Sequence, residues 1–385
     1  MQITVRDARM QFGHVLQQDL FPHLASELGP MPVSLQLLTS ILSLLPLNRL
    51  LAARRAATGR PPKDRAALAT AFIAKAVLNL PTTRDLIDRL RVDHPLRRLC
   101  GWTLASRVPH ESKFSRAFAE FAASQLPQHL HQALIEATQR ERLIGHIARD
   151  STAIPARERF PRSSPAKGRK TKVKAKRRKG SFGKAKAADR GTRIERQRHQ
   201  KLERMVAELP CQCDLGVKTG QDGNQQYWRG YKLHWDVADG QIPISALVTS
   251  ASLHDSQAAI PLMTMTSERV THLYEVMDSA YDADAIHAHS RELNHVPIIA
   301  PHPRRGAKKA SPLPKAFPPK ATPEMTWAQQ ERYKERTMVE RANARLKDEF
   351  GGRHLRVRGV AKVAAHLMFG IVALTVDQWL RLPTT

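Results

Sequence analysis

Three acidic residues stand where a folded scaffold can aim them at one point. Asp150 follows the apolar run Leu143–Ala148 in HIARDST, Asp278 closes the run His272–Met277 in YEVMDSAYDA, and Glu340 lies in the helix-patterned stretch Tyr333–Lys347, YKERTMVERANARLK. Carboxylates converging from separate elements hold hard divalent cations such as magnesium, which take oxygen ligands and retain waters. Two such ions about 3.5–4 Å apart are a general means of in-line phosphoryl displacement. Taken singly, an Asp after a strand is more often a cap or a turn former, so the reading rests on the combination. In the third stretch Tyr333, Arg336, Glu340 and Lys347 have offsets that place them within roughly a 60° sector of one helix face. Val339, Ala342 and Leu346 fall on another face, suited to packing on a sheet. The first face would offer Glu340 to a metal, Arg336 and Lys347 to phosphates and Tyr333 to a strand. The plain alternative is a charged helix with a solvated face.

The elements that must position these residues can be read from periodicity. Residues 1 to about 140 are rich in Leu and Ala at helical spacing, as in Ala69, Ile73, Ala76, Val77 and Leu80. Pro61-Pro62 and Pro81-Thr82-Thr83 punctuate them, and Phe114, Phe118 and Phe121 mark one side of a further helix; the expectation is an all-helical N-terminal domain. Residues 141–385 alternate differently. Leu143–Ala148 reads as a strand ending at Asp150. Tyr231–Val237 and Ile242–Val248 read as a hairpin turned at Asp239-Gly240. Ser256–Thr266 reads as a helix, His272–Met277 and Val296–Ala300 as strands, and Trp327–Phe350 and Val360–Leu380 as helices, with a Pro/Lys-rich loop at about 301–323. That order predicts an α/β (α+β) fold with a mixed sheet flanked by helices. Asp255 in LHDS reads as a helix cap near the cleft and not a primary ligand, and His254 as a supporting residue more readily than a base.

Charge points to the partner. The 385 residues carry 62 Lys and Arg against 35 Asp and Glu, a formal net charge of +27, and a balance so basic keeps a chain near polyanions, of which nucleic acid is the commonest in a cell. A merely basic or ribosome-associated protein is the bland alternative. Residues 157–204 hold 20 Lys or Arg against 4 Asp or Glu, more than half of the excess. With few large apolar residues before Thr192, this segment reads as a disordered insertion that holds phosphates without regard to sequence. A short helix is expected over Arg193–Leu209; a simple linker is the alternative. Three cysteines, Cys100, Cys211 and Cys213, cannot make a disulfide framework, and Cys211-Gln212-Cys213 is too tight for a zinc knuckle. The uncharged run Leu28–Asn48 contains Pro30, Pro32, Pro46 and Gln36, which argues against a membrane span, and the start MQITVRDARMQ lacks the apolar core of a secretory signal. A cytoplasmic protein is expected.

These residues resemble a known family. The Tyr–two–Arg–three–Glu–six–Lys spacing from Tyr333 to Lys347 resembles the helix signature of DDE transposases from bacterial insertion sequences. Asp278-Ser279-Ala280-Tyr281 is similar to that family's second motif and Asp150-Ser151-Thr152 to its first. GYKLHWDVADGQIPISALVTSASLHDS resembles the sheet between the first two acids, and Gly59–Ala119 the helical region that often precedes the catalytic part. The resemblance implies a ribonuclease H-like fold over 141–385, with Asp150, Asp278 and Glu340 as catalytic metal ligands and Tyr333, Arg336 and Lys347 on DNA. It also implies two Mg2+ or Mn2+ ions, cleavage at element ends and strand transfer into target DNA. The implied partners are double-stranded DNA, as terminal inverted repeats and target, and a second copy of the chain in a homodimer. It implies no membrane, a place in the nucleoid, and DNA-end binding by residues 1–140. A nuclease without strand transfer and a domesticated, non-enzymatic DNA-binding protein are the alternatives. The long basic insertion departs from the family pattern.

Overall fold

The computed structural model describes residues 31–52, 64–158, 191–219, 224–302 and 325–382. The expectations for the first 30 residues, for Pro61-Pro62, for most of the 301–323 loop and for 159–190 of the basic segment lie outside the described residues.

The amino-terminal part is helical, for reasons its sequence states locally. Helices α1 (Val33–Leu44) and α2 (Leu47–Ala52) are followed by α3 (Arg65–Val77), whose Asp64 cap accepts from the Ala66 and Ala67 amides at 2.8 and 3.3 Å. Helix α4 (Thr83–Val92) starts on a reciprocal capping box between Thr82 and Asp85. After α5 (His94–Leu99) come α6 (Glu111–Ala123), which buries Phe114, Phe118 and Phe121 as expected, and α7 (Leu126–Thr138).

The chain then enters a mixed sheet. Strand β1 (Leu143–Pro155) is followed, after the basic segment, by α8 (Arg193–Gln197), α9 (Leu202–Ala207), β2 (Asp214–Thr219), β3 (Gln225–Ala238) and β4 (Ile242–Ser250). Helix α10 (Ala259–Ser267), β5 (Thr271–Met277), α11 (Asp284–Glu292) and β6 (Val296–Ile299) complete the sheet region. The path runs β2-β3-β1-β5-β6, with β4 also on β3. The first half of β3 pairs antiparallel with β2 and the second with β4, while its other edge pairs antiparallel with β1; β1, β5 and β6 are mutually parallel. Helices α12 (Trp327–Tyr333), α13 (Thr337–Asp348) and α14 (Val360–Arg381) close the chain.

One core joins both parts. Buried residues of the amino-terminal helices, among them Leu38, Leu68, Phe72, Leu90 and Phe114, form a single apolar cluster with Ala148 and Ile154 of β1, Leu233 and Trp235 of β3, and the inner faces of α13 and α14. The core of the amino-terminal helices is therefore continuous with that of the sheet. Helix α14 is the axis of this packing, lying against α1, α3, α6, α7 and β4. It is also the one described helix long and apolar enough to cross a membrane, and 67% of that apolar stretch is buried inside the protein. Gly370 of α14 lets it approach the end of α13, since a Cβ there would meet the Phe350 carbonyl oxygen at 2.5 Å. A separate cluster of Met205, Ile260, Met263, Met277, Ile286 and Ile299 covers the opposite sheet face.

Three expectations need correction. Asp150 does not end its strand: β1 continues to Pro155, so the acid sits mid-strand opposite Trp235. The helix expected over Trp327–Phe350 is broken by a 3-10 turn at Lys334–Arg336 and ends at Asp348, so Tyr333 is out of phase with Glu340 and Lys347. The disorder expected over 157–204 does not hold for its described residues 191–204. Within the one helix expected over Arg193–Leu209 the chain makes α8 and α9, anchored by buried Gln197, which donates to the Gln257 carbonyl at 3.2 Å, and by buried Met205.

Candidate active site

Alternation along β1 sends Ala148, Asp150, Thr152 and Ile154 to the face covered by α13 and α14, and Arg149 to the other. Helix α13 lies over β1 because Val339, Ala342 and Leu346 are wholly buried beneath it, as its sequence spacing implied. That packing aligns a polar edge of the helix with the polar edge of the strand. Asn343 donates from Nδ2 to Asp150 Oδ2 at 3.2 Å, and one turn on Lys347 donates from Nζ to Thr152 Oγ1 at 2.5 Å. Glu340 precedes Asn343 by three residues on this edge, in the first turn of α13.

Asp278 leaves the end of β5, two strand spacings of roughly 4.8 Å from β3 by way of β1, and caps the next 3-10 turn by accepting from the Ala280 amide at 2.9 Å. Asp150 and Asp278 share an electrostatic environment. Burial pushes the Asp150 carboxyl up to about 6, and the charges of Asp278 and Asp255 add to the shift, while the Ser151 amide and Arg336 oppose it. Burial and Asp255 likewise raise Asp278, against the Ala280 amide, Arg336 and His254. Tyr281, fully buried behind them, has its hydroxyl pushed well up by burial and by the fields of Asp255, Asp150 and Asp278.

Glu340 is turned to a cation. Its Oε1 lies 2.7 Å from Arg336 Nη2, one turn earlier, with about half of its side chain exposed. Arg336 in turn lies in the fields of Tyr333, Glu340 and Asp150, and its guanidinium stands 5.8 Å from the Tyr333 ring. Tyr333 is raised by burial and feels Asp278 and Glu340. Lys347 is lowered by burial and by Arg353 and Lys218, with Asp150 pulling the other way. The six residues singled out in the sequence therefore lie about the middle of β1, around Asp150. Their three acids are not drawn up to bonding distance of one ion: among the described residues, the one trio of potential ligand atoms within 4.8 Å of one another is His272, Glu275 and His295.

That trio belongs to the opposite face. Buried Arg149 donates to Asp236 at 2.6 Å and to Glu275 at 3.4 Å, and Thr266 donates to Asp236 at 2.6 Å. A fixed guanidinium beside Glu275 makes this a buried ionic network that ties β1, β3 and β5 together immediately below the acids. Sequence reading did not find it, because neither His272 nor His295 sits in a pattern that distinguishes a ligand from a core histidine.

Of two further residues of the site, Asn343 went unread and Asp255 was read only as a cap near the cleft. Asn343 carries a detectable signal, since it is the i+3 neighbour of Glu340 on the same face. Asp255 is not the cap expected of it. His254 caps a 3-10 turn at Asp255–Ala258 by accepting from the Ser256 amide, whereas Asp255 accepts from Lys232 Nζ at 2.9 Å. Burial would raise Asp255, but His234 and Lys232 hold it below the usual carboxylate range, so it stays charged and contributes to the field at Asp150 and Asp278.

Comparison with known protein families gives two matches. The family model described as Transposase DDE domain matches residues 141–376, and a second, described as Transposase domain (DUF772), matches residues 25–120. No curated protein and no solved structure matches the chain.

Proposed function

The chain belongs to the transposase DDE domain family, and from that premise we propose that it cuts DNA at the ends of an insertion sequence and joins those ends to target DNA. The observation that carries this reading is the hydrogen bond from Asn343 to Asp150. It ties the helix bearing Glu340 to the strand bearing the first acid, across 193 residues of sequence, while Arg336 links Glu340 to the fields of Asp150 and Asp278.

The donor set fits divalent metal, in our reading two Mg2+ or Mn2+ ions held by Asp150, Asp278 and Glu340. All three are oxygen donors, as hard cations require, and two have raised pKa values because burial and neighbouring carboxylates leave negative charge uncompensated. When bound, the ions supply Lewis-acid stabilisation of the attacking and leaving oxygens. The protein's own contributions are distinct. Asn343 fixes the orientation of Asp150. Arg336 holds Glu340 in the first turn of α13 and offers a cation to phosphate, and an exposed i,i+4 pair of this kind is worth only about 0.3–0.5 kcal/mol, so Glu340 can leave it at little cost. Lys347 and Tyr333 flank the acids and would contact the DNA strand. Lys232 keeps Asp255 ionised beside them.

The strand order, with β4-β3-β1 antiparallel and β1-β5-β6 parallel, supports a ribonuclease H-like assignment for 141–385. We assign the helices up to about residue 140 to DNA-end binding, and the basic segment to sequence-blind contact with phosphates. Double-stranded DNA as inverted repeats and target, a homodimer assembled on it, and a cytoplasmic place in the nucleoid complete the proposal. A plasmid assay that reports cleavage and joining separately, with Mg2+ or with chelator, tests it. Asp150→Ala, Asp278→Ala and Glu340→Gln are expected to abolish both products and keep DNA binding; undiminished cleavage would refute the site. Cleavage without joining would leave a nuclease, and binding without either a non-enzymatic DNA-binding protein.

A further inference from the structure

A cavity of about 520 Å³ opens between the amino-terminal helices and the segment joining α13 to α14. Its wall carries Lys75 of α3 together with Arg356, Arg358 and Lys362 from the joining segment and the start of α14; Phe72, Phe118 and Phe369 form an aromatic floor. Against these four cations stands one acid, Glu111, which faces Arg84 at 3.4 Å. Among the described residues no salt bridge involves Arg356, Arg358 or Lys362, and all three are exposed. Lys75 is 9% exposed, and its one described hydrogen bond is a long 3.5 Å approach to the Pro81 carbonyl. Burial lowers its pKa to about 8 despite the pull of Asp85, the behaviour of an ammonium that lacks a close counter-ion. Both walls are fixed: Asn79, just after α3, donates to the Asp348 carbonyl at the end of α13 at 2.7 Å, and Gly359 donates from its amide to Glu158 Oε1 at 2.6 Å.

Position gives the cavity its meaning. Glu340 and Asp348 stand at the two ends of one helix, and eight residues of α-helix span on the order of 12 Å. Phosphates along one DNA strand are spaced at about 3.4 Å of axial rise, so a strand lying along α13 from the acids would reach the cavity mouth in about four steps. Lys347 and Arg353 lie on the way.

We infer that this cavity receives the phosphate backbone of DNA whose reacting bond lies at the acids, so that Lys75, Arg356, Arg358 and Lys362 fix the duplex a few steps from the cut. The inference rests on the transposase reading and adds to it a defined surface for the backbone. The joining segment is thereby part of the DNA grip, with the amino-terminal helices as its other jaw.

The test is duplex binding by the full chain, measured by fluorescence anisotropy of a labelled DNA across a salt series. Arg356→Gln, Arg358→Gln and Lys362→Gln together are exposed changes that leave the core intact. They are expected to lower the slope of log affinity against log salt by about 2–3, at roughly 0.9 for each phosphate no longer neutralised, and to weaken binding at least tenfold at moderate salt. Arg142→Gln, Arg291→Gln and Arg381→Gln remove equal charge away from the cavity and are expected to change the slope far less. Equal effects in the two triple variants overturn the inference while leaving the transposase reading in place. A wild-type chain that binds no duplex overturns both. Titration with inorganic phosphate separates the remaining source: phosphate binding abolished in the cavity variant while duplex binding stays intact would assign the cavity to a small phosphorylated ligand and overturn the DNA assignment.

Discussion

Replacing Asp150 by asparagine is expected to stabilise the metal-free protein. With its folded-state pKa at about 6 against an ordinary 3.8, the charged form of Asp150 costs on the order of 2–3 kcal/mol at neutral pH. Asparagine removes that charge, retains an oxygen to accept from Asn343, and changes volume little. The pH dependence has a definite sign. Because the folded state binds the Asp150 proton more tightly than the unfolded state, wild-type protein regains this stability as pH falls from about 6 toward 3.8. The advantage of Asp150→Asn should therefore be greatest above about pH 7 and largely gone near about pH 4. Urea unfolding of both proteins in chelator at several pH values measures it, and the difference between them cancels every group they share. Adding Mg2+ should reverse the ranking, since an ion at about a hundred times its dissociation constant adds about 2.7 kcal/mol to wild type and less to a variant lacking one ligand. A variant no more stable than wild type in chelator at about pH 7.5, or one that gains as much from Mg2+, would refute the account of a carboxylate cluster awaiting a cation.

Leu346→Ala deletes a fully buried side chain of α13 and should cost about 2–5 kcal/mol, read as a lowered urea midpoint. Gly370→Ala should destabilise although alanine is the better helix former by about 1 kcal/mol, because the new methyl would meet the Phe350 carbonyl; a raised thermal midpoint would count against that close approach. Burial holds His131 neutral down to about 3, with Arg269 adding to the shift, and holds His234 neutral down to about 4. Their depressed values mean that the unfolded chain takes up protons first, so stability is complete above about pH 6.5 and is lost on acidification toward 4. Between about pH 6.5 and 5 each should cost about 2 kcal/mol, and His131→Gln should show a shallower acid decline in unfolding free energy than wild type.

Five of the six strands and most helices were legible in the sequence because alternation and capping are local signals, whereas β2 and the half of β3 that pairs with it were not read. The hairpin at Asp239-Gly240, the box at Thr82 and Asp85, and the buried face of α13 follow from residues a few positions apart. The family motifs around Asp150, Asp278 and Glu340 were legible for the same reason, and in the structure Asp150, Asp278 and Arg336 lie within one another's fields about the middle of β1. What escaped depends on distant neighbours. Arg149 reads as one more cation in a basic chain until Asp236 and Glu275 enclose it. Asp255 reads as a cap until Lys232 and His234 approach from the neighbouring strand. The break at Lys334–Arg336 leaves no Gly or Pro to announce it. The division into a helical domain and a catalytic domain was read from composition, which does not record that α14, last in the chain, lies against the first helices.

That arrangement of α14 governs how the protein can be taken apart. Sequence boundaries near residue 140 invite expression of the two halves as independent modules. Yet a fragment starting there would present to water the apolar flank of α14 that α1, α3, α6 and α7 normally cover, on a helix with the length and composition to enter a bilayer. Such a fragment should aggregate or partition to membranes, and so should a chain whose first half is exchanged for that of a distant relative. Whatever diversity this architecture acquires in its amino-terminal half must be matched, residue for residue, on a helix nearly at the far end of the chain.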